Sequence, residues 1–135
     1  AGCAMPGNAA GLAAEAGTAM NAQRAGSGRA PLARDSRLDA AAQAHACWMS
    51  ASGTFSHQGQ GGSGSMQRIQ SAGYPSRLGA ENIALGQTSA GAVVTDWMGS
   101  AGHRKNILLA GAEAYGVGVA LLGGRQVWVM VFAGG

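Results

Sequence analysis

The last quarter of the chain contains the pattern that most restricts its fold. Two runs of alternating apolar residues, YGVGVALL (115–122) and RQVWVMVF (125–132), lie on either side of Gly123-Gly124. Alternation with a period of two is typical of β-strands, and a Gly-Gly pair readily adopts the positive φ angles that a two-residue hairpin turn requires. The sequence therefore predicts a β-hairpin at the C-terminus.

The rest of the chain is mainly helical in its periodicity. Apolar residues recur at helical spacing from Ala9 to Arg24, and again from Asp35 or Ser36 to about Ala51. Shorter segments predict helices at 66–72 and 90–99, with a short strand at 82–86. Helices followed by a hairpin indicate an α+β fold, in which an antiparallel sheet is packed between helices.

The length and composition favour one globular domain. Residues 1–8 form a predicted arm and residues 9–135 a predicted single domain, because 135 residues are too few for two independent cores. Leu, Ile, Val and Phe make up only 21 residues, but the net charge of +3 is too small to favour disorder. The charges are scattered, which argues against nucleic-acid binding, and no apolar run is long enough to span a bilayer.

The two cysteines allow three interpretations. A Cys3–Cys47 disulfide would join the arm to the second helix and indicate an oxidising compartment, so a secreted or periplasmic protein. Alternatively, Cys47 is a buried thiol and Cys3 lies in a disordered arm. In the third interpretation Cys3 is a lipid anchor, because Ala-Gly-Cys resembles the end of a bacterial lipoprotein signal.

One carboxylate and two histidines are the candidates for a functional site. Glu81 lies in the apolar, small-residue segment LGAENIA, where an unpaired carboxylate is costly, whereas the other acids fit helix starts, outer helix faces or loops. His57 and His103 flank predicted loops, and His45 is predicted to be a core or rim residue of a helix. Two imidazoles and a carboxylate can bind a divalent metal or act as general acid and base.

Several short segments occur in an order that resembles a known family. They are MNAQR (20–24), LDAAAQAHACWM (38–49), FSH (55–57), ENIALG (81–86), GHRKNIL (102–108) and VWVMVFA (127–133). Together they resemble the bacterial branch of the CAP superfamily, also called the SCP or cysteine-rich secretory, antigen 5 and pathogenesis-related domain. The resemblance implies an α-β-α sandwich, secretion, and a central cleft with two histidines and two acidic residues that binds zinc or another divalent ion in some members.

Carried over by position, the resemblance implies a metal site formed by His57, Glu81 and His103, with zinc as the expected ion. The second acidic position is expected four or five residues after His57, where Gly61 and Gly62 stand, so the site is expected to be a triad. We therefore expect a secreted, monomeric module that binds a divalent metal or a small ligand. The alternatives are a metal-assisted hydrolase, or a module that binds lipid, protein or a cell-envelope component and in which the triad is structural. The resemblance implies no general catalytic activity.

Overall fold

The computed structural model describes residues 3–135, in which five α-helices pack on a four-stranded sheet. In chain order the elements are α1 (Ala9–Gly26), β1 (Ala33–Arg34), α2 (Ser36–Ser52), α3 (Ser65–Ser71), β2 (Leu78–Leu85), α4 (Ala90–Met98), α5 (Ala101–Ile107), β3 (Ala114–Leu122) and β4 (Arg125–Gly134). A short 3₁₀ turn at Gln60–Gly62 lies between α2 and α3. The part of the predicted arm formed by Ala1 and Gly2 lies outside the described residues.

The helix ends follow the signals in the sequence. Asp35 is the N-cap of α2, where its side chain accepts a hydrogen bond from the backbone N–H of Arg37. Gly53 ends the same helix with a φ of +71°, a left-handed conformation that favours glycine. The predicted helices are confirmed to within two residues at each end.

The sheet is mixed, whereas the sequence pattern predicts an antiparallel sheet. Its strand order is β1-β3-β4-β2, and only β1 runs parallel to its neighbour β3. The difference lies at this edge of the sheet. Strand β1 has only two residues, which is too short for an alternating apolar pattern, so the sequence did not predict it. Strand β2 begins at Leu78, before the predicted start, because Leu78 to Glu81 also pair with β4.

The predicted α-β-α sandwich is confirmed, because β4 has an apolar core on each face. Trp128, Met130 and Phe132 belong to the cluster that contains α1 and α4, whereas Val127, Val129 and Val131 belong to the cluster that contains α2 and Ile69 of α3. Each of these strand residues is at most 1% exposed. Alternating side chains therefore join two helical layers through one sheet.

Helix α2 lies directly on β3 and completes its open edge. A Cβ added at Gly118 would lie 2.5 Å from the backbone N of Gln43, so only glycine allows this approach. The Gln43 side chain in turn accepts from the N–H of Val119 and donates to its carbonyl, both at 3.0 Å. Asp39 accepts from the N–H of Val117 in the same way. Side chains of α2 thus hydrogen-bond the backbone groups of β3 that β1 is too short to pair.

A disulfide joins Cys3 to Cys47, as the first interpretation of the cysteines predicted. The Cys3 sulfur is used in this bond, so the structure does not support the lipid-anchor interpretation. The arm is also held by the backbone N–H of Leu121, which donates to the carbonyl of Ala4 at 2.6 Å. Within residues 3–135, no helix combines the length and apolar character of a transmembrane span.

Candidate functional site

Glu81 is the buried centre of the candidate site. It lies on β2, the edge strand beside β4, and its side chain is only 1% exposed. Oε2 accepts a hydrogen bond from Nη2 of Arg68 at 2.7 Å, and Oε1 lies 3.0 Å from Nδ1 of His57. Oε1 also lies 3.9 Å from Nε2 of His45. Both carboxylate oxygens therefore have close partners, which is what a carboxylate in this apolar surrounding requires.

Arg68 joins α3 to both β2 and the preceding loop. Besides Glu81, its guanidinium donates to the carbonyl of His57 at 2.9 Å and to the carbonyl of Ser63 at 2.6 Å. The side chain is 10% exposed. A planar guanidinium with several fixed donors can make these bonds at once, whereas a lysine could not reproduce the arrangement. Arg68 thus fixes the position of the loop that contains His57.

His45 lies beneath this loop as a neutral, buried histidine. Its Nε2 is 2.7 Å from the carbonyl of Ser56, which can only accept, so Nε2 carries the proton. Nδ1 has no partner among the described residues, and a Cβ added at Gly59 would lie 2.7 Å from it. Burial, in the first place, lowers the pKa of His45. Of the two predicted placements of His45, core or rim of the helix, the structure shows the core, because the residue is 1% exposed.

Two asparagines hold the backbone of α5 at His103 against β2. The carbonyl of His103 accepts from the fully buried Asn82 at 3.1 Å, and Asn106 donates to the Asn82 side chain at 2.9 Å. The His103 ring lies against Trp97, with 6.5 Å between ring centroids. Burial lowers the pKa of His103, and charge on the nearby His57 lowers it further.

The structure brings two of the three predicted site residues into direct contact. His57 is hydrogen-bonded to Glu81, whereas the ring of His103 has no hydrogen bond or ion pair with Glu81 in residues 3–135. Over that same range, no three His, Cys, Asp or Glu side chains are arranged as a metal-binding group. The arrangement is instead that of a histidine oriented by a buried carboxylate.

Comparison with known proteins assigns the fold and the family. A sequence model described as the CAP, or cysteine-rich secretory protein, family matches residues 18–132. The chain belongs to the CAP family. Among curated relatives, this CAP domain is 36% identical over 114 residues to the uncharacterised protein YkwD of Bacillus subtilis, an alignment that covers 84% of the chain.

Two solved bacterial structures have the same fold as this CAP domain. An extracellular protein with an SCP domain from Bacillus anthracis has a TM-score of 0.83 and 25% identity, over 94% of the chain. An outer surface protein from Borrelia burgdorferi has a TM-score of 0.80 and 21% identity, over 87% of this chain and 88% of its own. The CAP domain spans 44% of YkwD and 41% of the B. anthracis protein.

The sequence did not indicate two residues that help to build this site of the CAP domain, Arg68 and Gly59. A carboxylate in an apolar strand requires a cationic or hydrogen-bonding partner, but that signal does not say which of the arginines supplies it. Arg68 precedes the fully buried Ile69 on a seven-residue helix, too short for a reliable helical face. Gly59 lies in the glycine-rich segment QGQGGSGS (58–65), and its contact with His45 depends on the tertiary fold.

Proposed function

We propose that this CAP domain is an extracellular binding module in which His57 and His103 bind a small polar ligand and Glu81 orients His57. The observation that carries this proposal is the 3.0 Å contact between Nδ1 of His57 and the buried carboxylate of Glu81. A carboxylate can only accept, so Nδ1 donates, and in the neutral form of the ring Nε2 is then unprotonated and faces away from Glu81 as an acceptor for a ligand. The His57 side chain is 58% exposed, which makes it accessible.

The chemistry of the ligand follows from the two rings. Nε2 of His57 accepts a hydrogen bond, which a hydroxyl, amide or ammonium group can donate. The lowered pKa of His103 favours its neutral form at pH 7, so this ring offers one donor and one acceptor. The charge of Glu81 is balanced by Arg68. The site is therefore suited to a polar ligand with both donors and acceptors.

A divalent metal, which the family resemblance implies, does not fit these residues as a three-ligand site. Glu81 is 1% exposed and bonded through one oxygen to the guanidinium of Arg68, and a metal ion would have to displace this cation. The other oxygen is used by His57. Both oxygens of Glu81 are therefore engaged, and the carboxylate orients His57 instead of binding a metal ion.

The extracellular location is supported by the relatives and by the cysteines. The B. anthracis protein is described as extracellular and the B. burgdorferi protein as an outer surface protein. The Cys3–Cys47 disulfide is of the kind that persists in oxidising compartments and is rare in the bacterial cytosol.

Histidine NMR signals provide the test of this proposal. The probes are short peptides, amino-acid esters and peptidoglycan fragments, titrated while the ring signals of His57 and His103 are recorded. We expect one class to shift both signals saturably in the wild type and to lose affinity in His103→Ala. The proposal is contradicted if no probe shifts both signals, or if stoichiometric zinc binding is lost in both Glu81→Gln and His103→Ala.

The same contact favours a second candidate, hydrolysis with His57 as general base. A base within hydrogen-bond distance of an orienting carboxylate is the arrangement that activates water or a hydroxyl in many hydrolases. On this hypothesis Glu81→Gln lowers the rate of ester or amide hydrolysis by about 10²–10⁴-fold, expressed per folded molecule as measured by circular dichroism, because the change also leaves the buried Arg68 without its anion. Activity that survives both Glu81→Gln and His57→Ala would exclude it.

A further inference from the structure

A separate cavity of about 270 Å³ lies between α2 and α3, behind the residues that hold Glu81. We call it the Trp48 pocket, and its rim is formed by Ala44, Trp48, Gln60, Ser63, Gln67 and Ser71. His45 and Arg68 form its inner wall, and neither His57 nor His103 lines it. Its volume is close to the lower end of the range for small-molecule sites.

Trp48 differs from the other two tryptophans of the chain. Trp97 and Trp128 are at most 1% exposed, and their indole N–H groups donate to the carbonyls of Ile83 and Gln87 at 3.1 and 3.0 Å. Trp48 is half-buried, and in the described part of the chain its N–H has no partner. Its ring is stacked on that of His45, with planes 9° apart and centroids at 5.9 Å. The pocket therefore contains a fixed aromatic surface with a free donor.

Apart from Ala44, the remaining rim residues have neutral side chains that can hydrogen-bond. Gln67 uses its carbonyl oxygen on the N–H of Gly64, at 2.8 Å, so its amide N–H₂ is left to donate. The side chains of Gln60 and Ser71 have no hydrogen-bond partner within residues 3–135. These amides and hydroxyls both donate and accept.

No uncompensated charge faces the pocket from the described residues. Arg68 is the charged residue of the lining, and its guanidinium is paired with Glu81 at 2.7 Å. An anionic ligand would find this cation already engaged, and a cationic ligand would find no carboxylate in the lining. The pocket is thus suited to a neutral ligand that combines an apolar face with many hydroxyls.

We propose that the Trp48 pocket binds a neutral saccharide. A pyranose ring has an apolar C–H face, which can lie on the Trp48 indole, and an edge of hydroxyls, which Gln60, Gln67 and Ser71 can contact. A second cavity of about 320 Å³ shares Ala44, Arg68 and Ser71 with the pocket, so both form one groove along α2 and α3. The groove accommodates a saccharide of more than one unit. This site is independent of the ligand proposed for His57 and His103.

The test is a titration with chitotriose and with cellotriose, followed by the three indole N–H signals in NMR spectra. We expect at least one trisaccharide to shift the Trp48 signal saturably, while those of Trp97 and Trp128 stay in place. Gln60→Ala removes one hydrogen bond from a side chain with no structural partner among the described residues, and should weaken binding about fivefold. Gln58→Ala, two residues away and outside the lining, is the matched control and should bind as the wild type does.

Two further variants separate this site from its alternatives. Trp48→Phe removes the reporting N–H, so its affinity is measured by calorimetry; it retains an aromatic ring and should weaken binding through the lost donor. His103→Ala should leave binding unchanged. The proposal is overturned if neither trisaccharide shifts the Trp48 signal, or if Gln58→Ala weakens binding as much as Gln60→Ala does. It is also overturned if laurate or adenosine shifts the Trp48 signal at lower concentrations than both trisaccharides, since the groove would then be a lipid or heterocycle site.

Discussion

The guanidinium of Arg68 lies 2.7 Å from the Glu81 carboxylate, and the two side chains are only 10% and 1% exposed. Glu81 is the only buried carboxylate among the described residues, and this ion pair uses one of its two oxygens. His57 uses the other oxygen. Glu81 therefore supports the histidine beside it.

Removal of Arg68 should destabilise the protein strongly. In Arg68→Met the Glu81 carboxylate is left buried without its cation, and we expect the free energy of unfolding to fall by about 3–5 kcal/mol. Urea denaturation followed by circular dichroism measures this change. Arg34→Met is the control, because Arg34 pairs with Asp39 at an exposed site and should cost less than about 1 kcal/mol. Equal losses in both variants would mean that the Arg68–Glu81 pair contributes little.

His45 should make the stability depend on pH in the mildly acidic range. Its folded-state pKa lies below 6.5 because the ring is buried, so the unfolded chain binds a proton more readily than the folded one. Stability is then greatest above pH 6.5 and falls as the pH drops from 6.5 towards the folded-state pKa. Thermal unfolding at a series of pH values should show a smaller slope in His45→Gln, and an unchanged slope would contradict this assignment.

The close approach of α2 to β3 should make Gly118 intolerant of any side chain. In Gly118→Ala the new methyl would lie 2.5 Å from the Gln43 backbone, and we expect a loss of about 1–3 kcal/mol from overpacking. Gly11→Ala is the matched control, since a Cβ added there would have nothing within 4 Å and the residue is in the exposed part of α1. Denaturant unfolding should show this control to be as stable as the wild type or slightly more so.

The disulfide should account for a substantial part of the stability. Cys3 and Cys47 are 44 residues apart, and opening a loop of this length typically costs about 2–4 kcal/mol. The Cys3→Ser/Cys47→Ser double variant should therefore unfold at lower denaturant concentration than the oxidised wild type, with the far-UV spectrum retained. Identical midpoints for the variant and the oxidised wild type would show that the cross-link contributes nothing.

The elements with a repeating pattern were predictable from the sequence, and the shortest ones were not. The hairpin around Gly123-Gly124 and helices α1 and α2 each extend over several periods, so their patterns are clear. Strand β1 has only two residues, and its pairing with β3 depends on the tertiary fold, which brings residues 33–34 beside residues 114–115. The start of β2 at Leu78 is also set by its partner strand β4 and not by local preference.

The candidate site could be predicted only in part. Glu81 could be selected as a candidate because a carboxylate is costly in an apolar strand, and in the structure its oxygens lie close to Arg68 and His57. The role of Arg68 depends on the path of the loop before α3, and the burial of His45 under Gly59 depends on the same path. Neither contact follows a regular sequence spacing, so the sequence alone could not predict it.

The protonation of the His57 ring tests the central claim most directly. Long-range ¹H–¹⁵N NMR spectra, recorded at a pH where the ring is neutral, distinguish a proton on Nδ1 from a proton on Nε2. Because Nδ1 lies 3.0 Å from the Glu81 carboxylate, we predict that Nδ1 carries the proton and that Nε2 is unprotonated. A neutral His57 ring with its proton on Nε2 would contradict the orienting role of Glu81 and the function built on it.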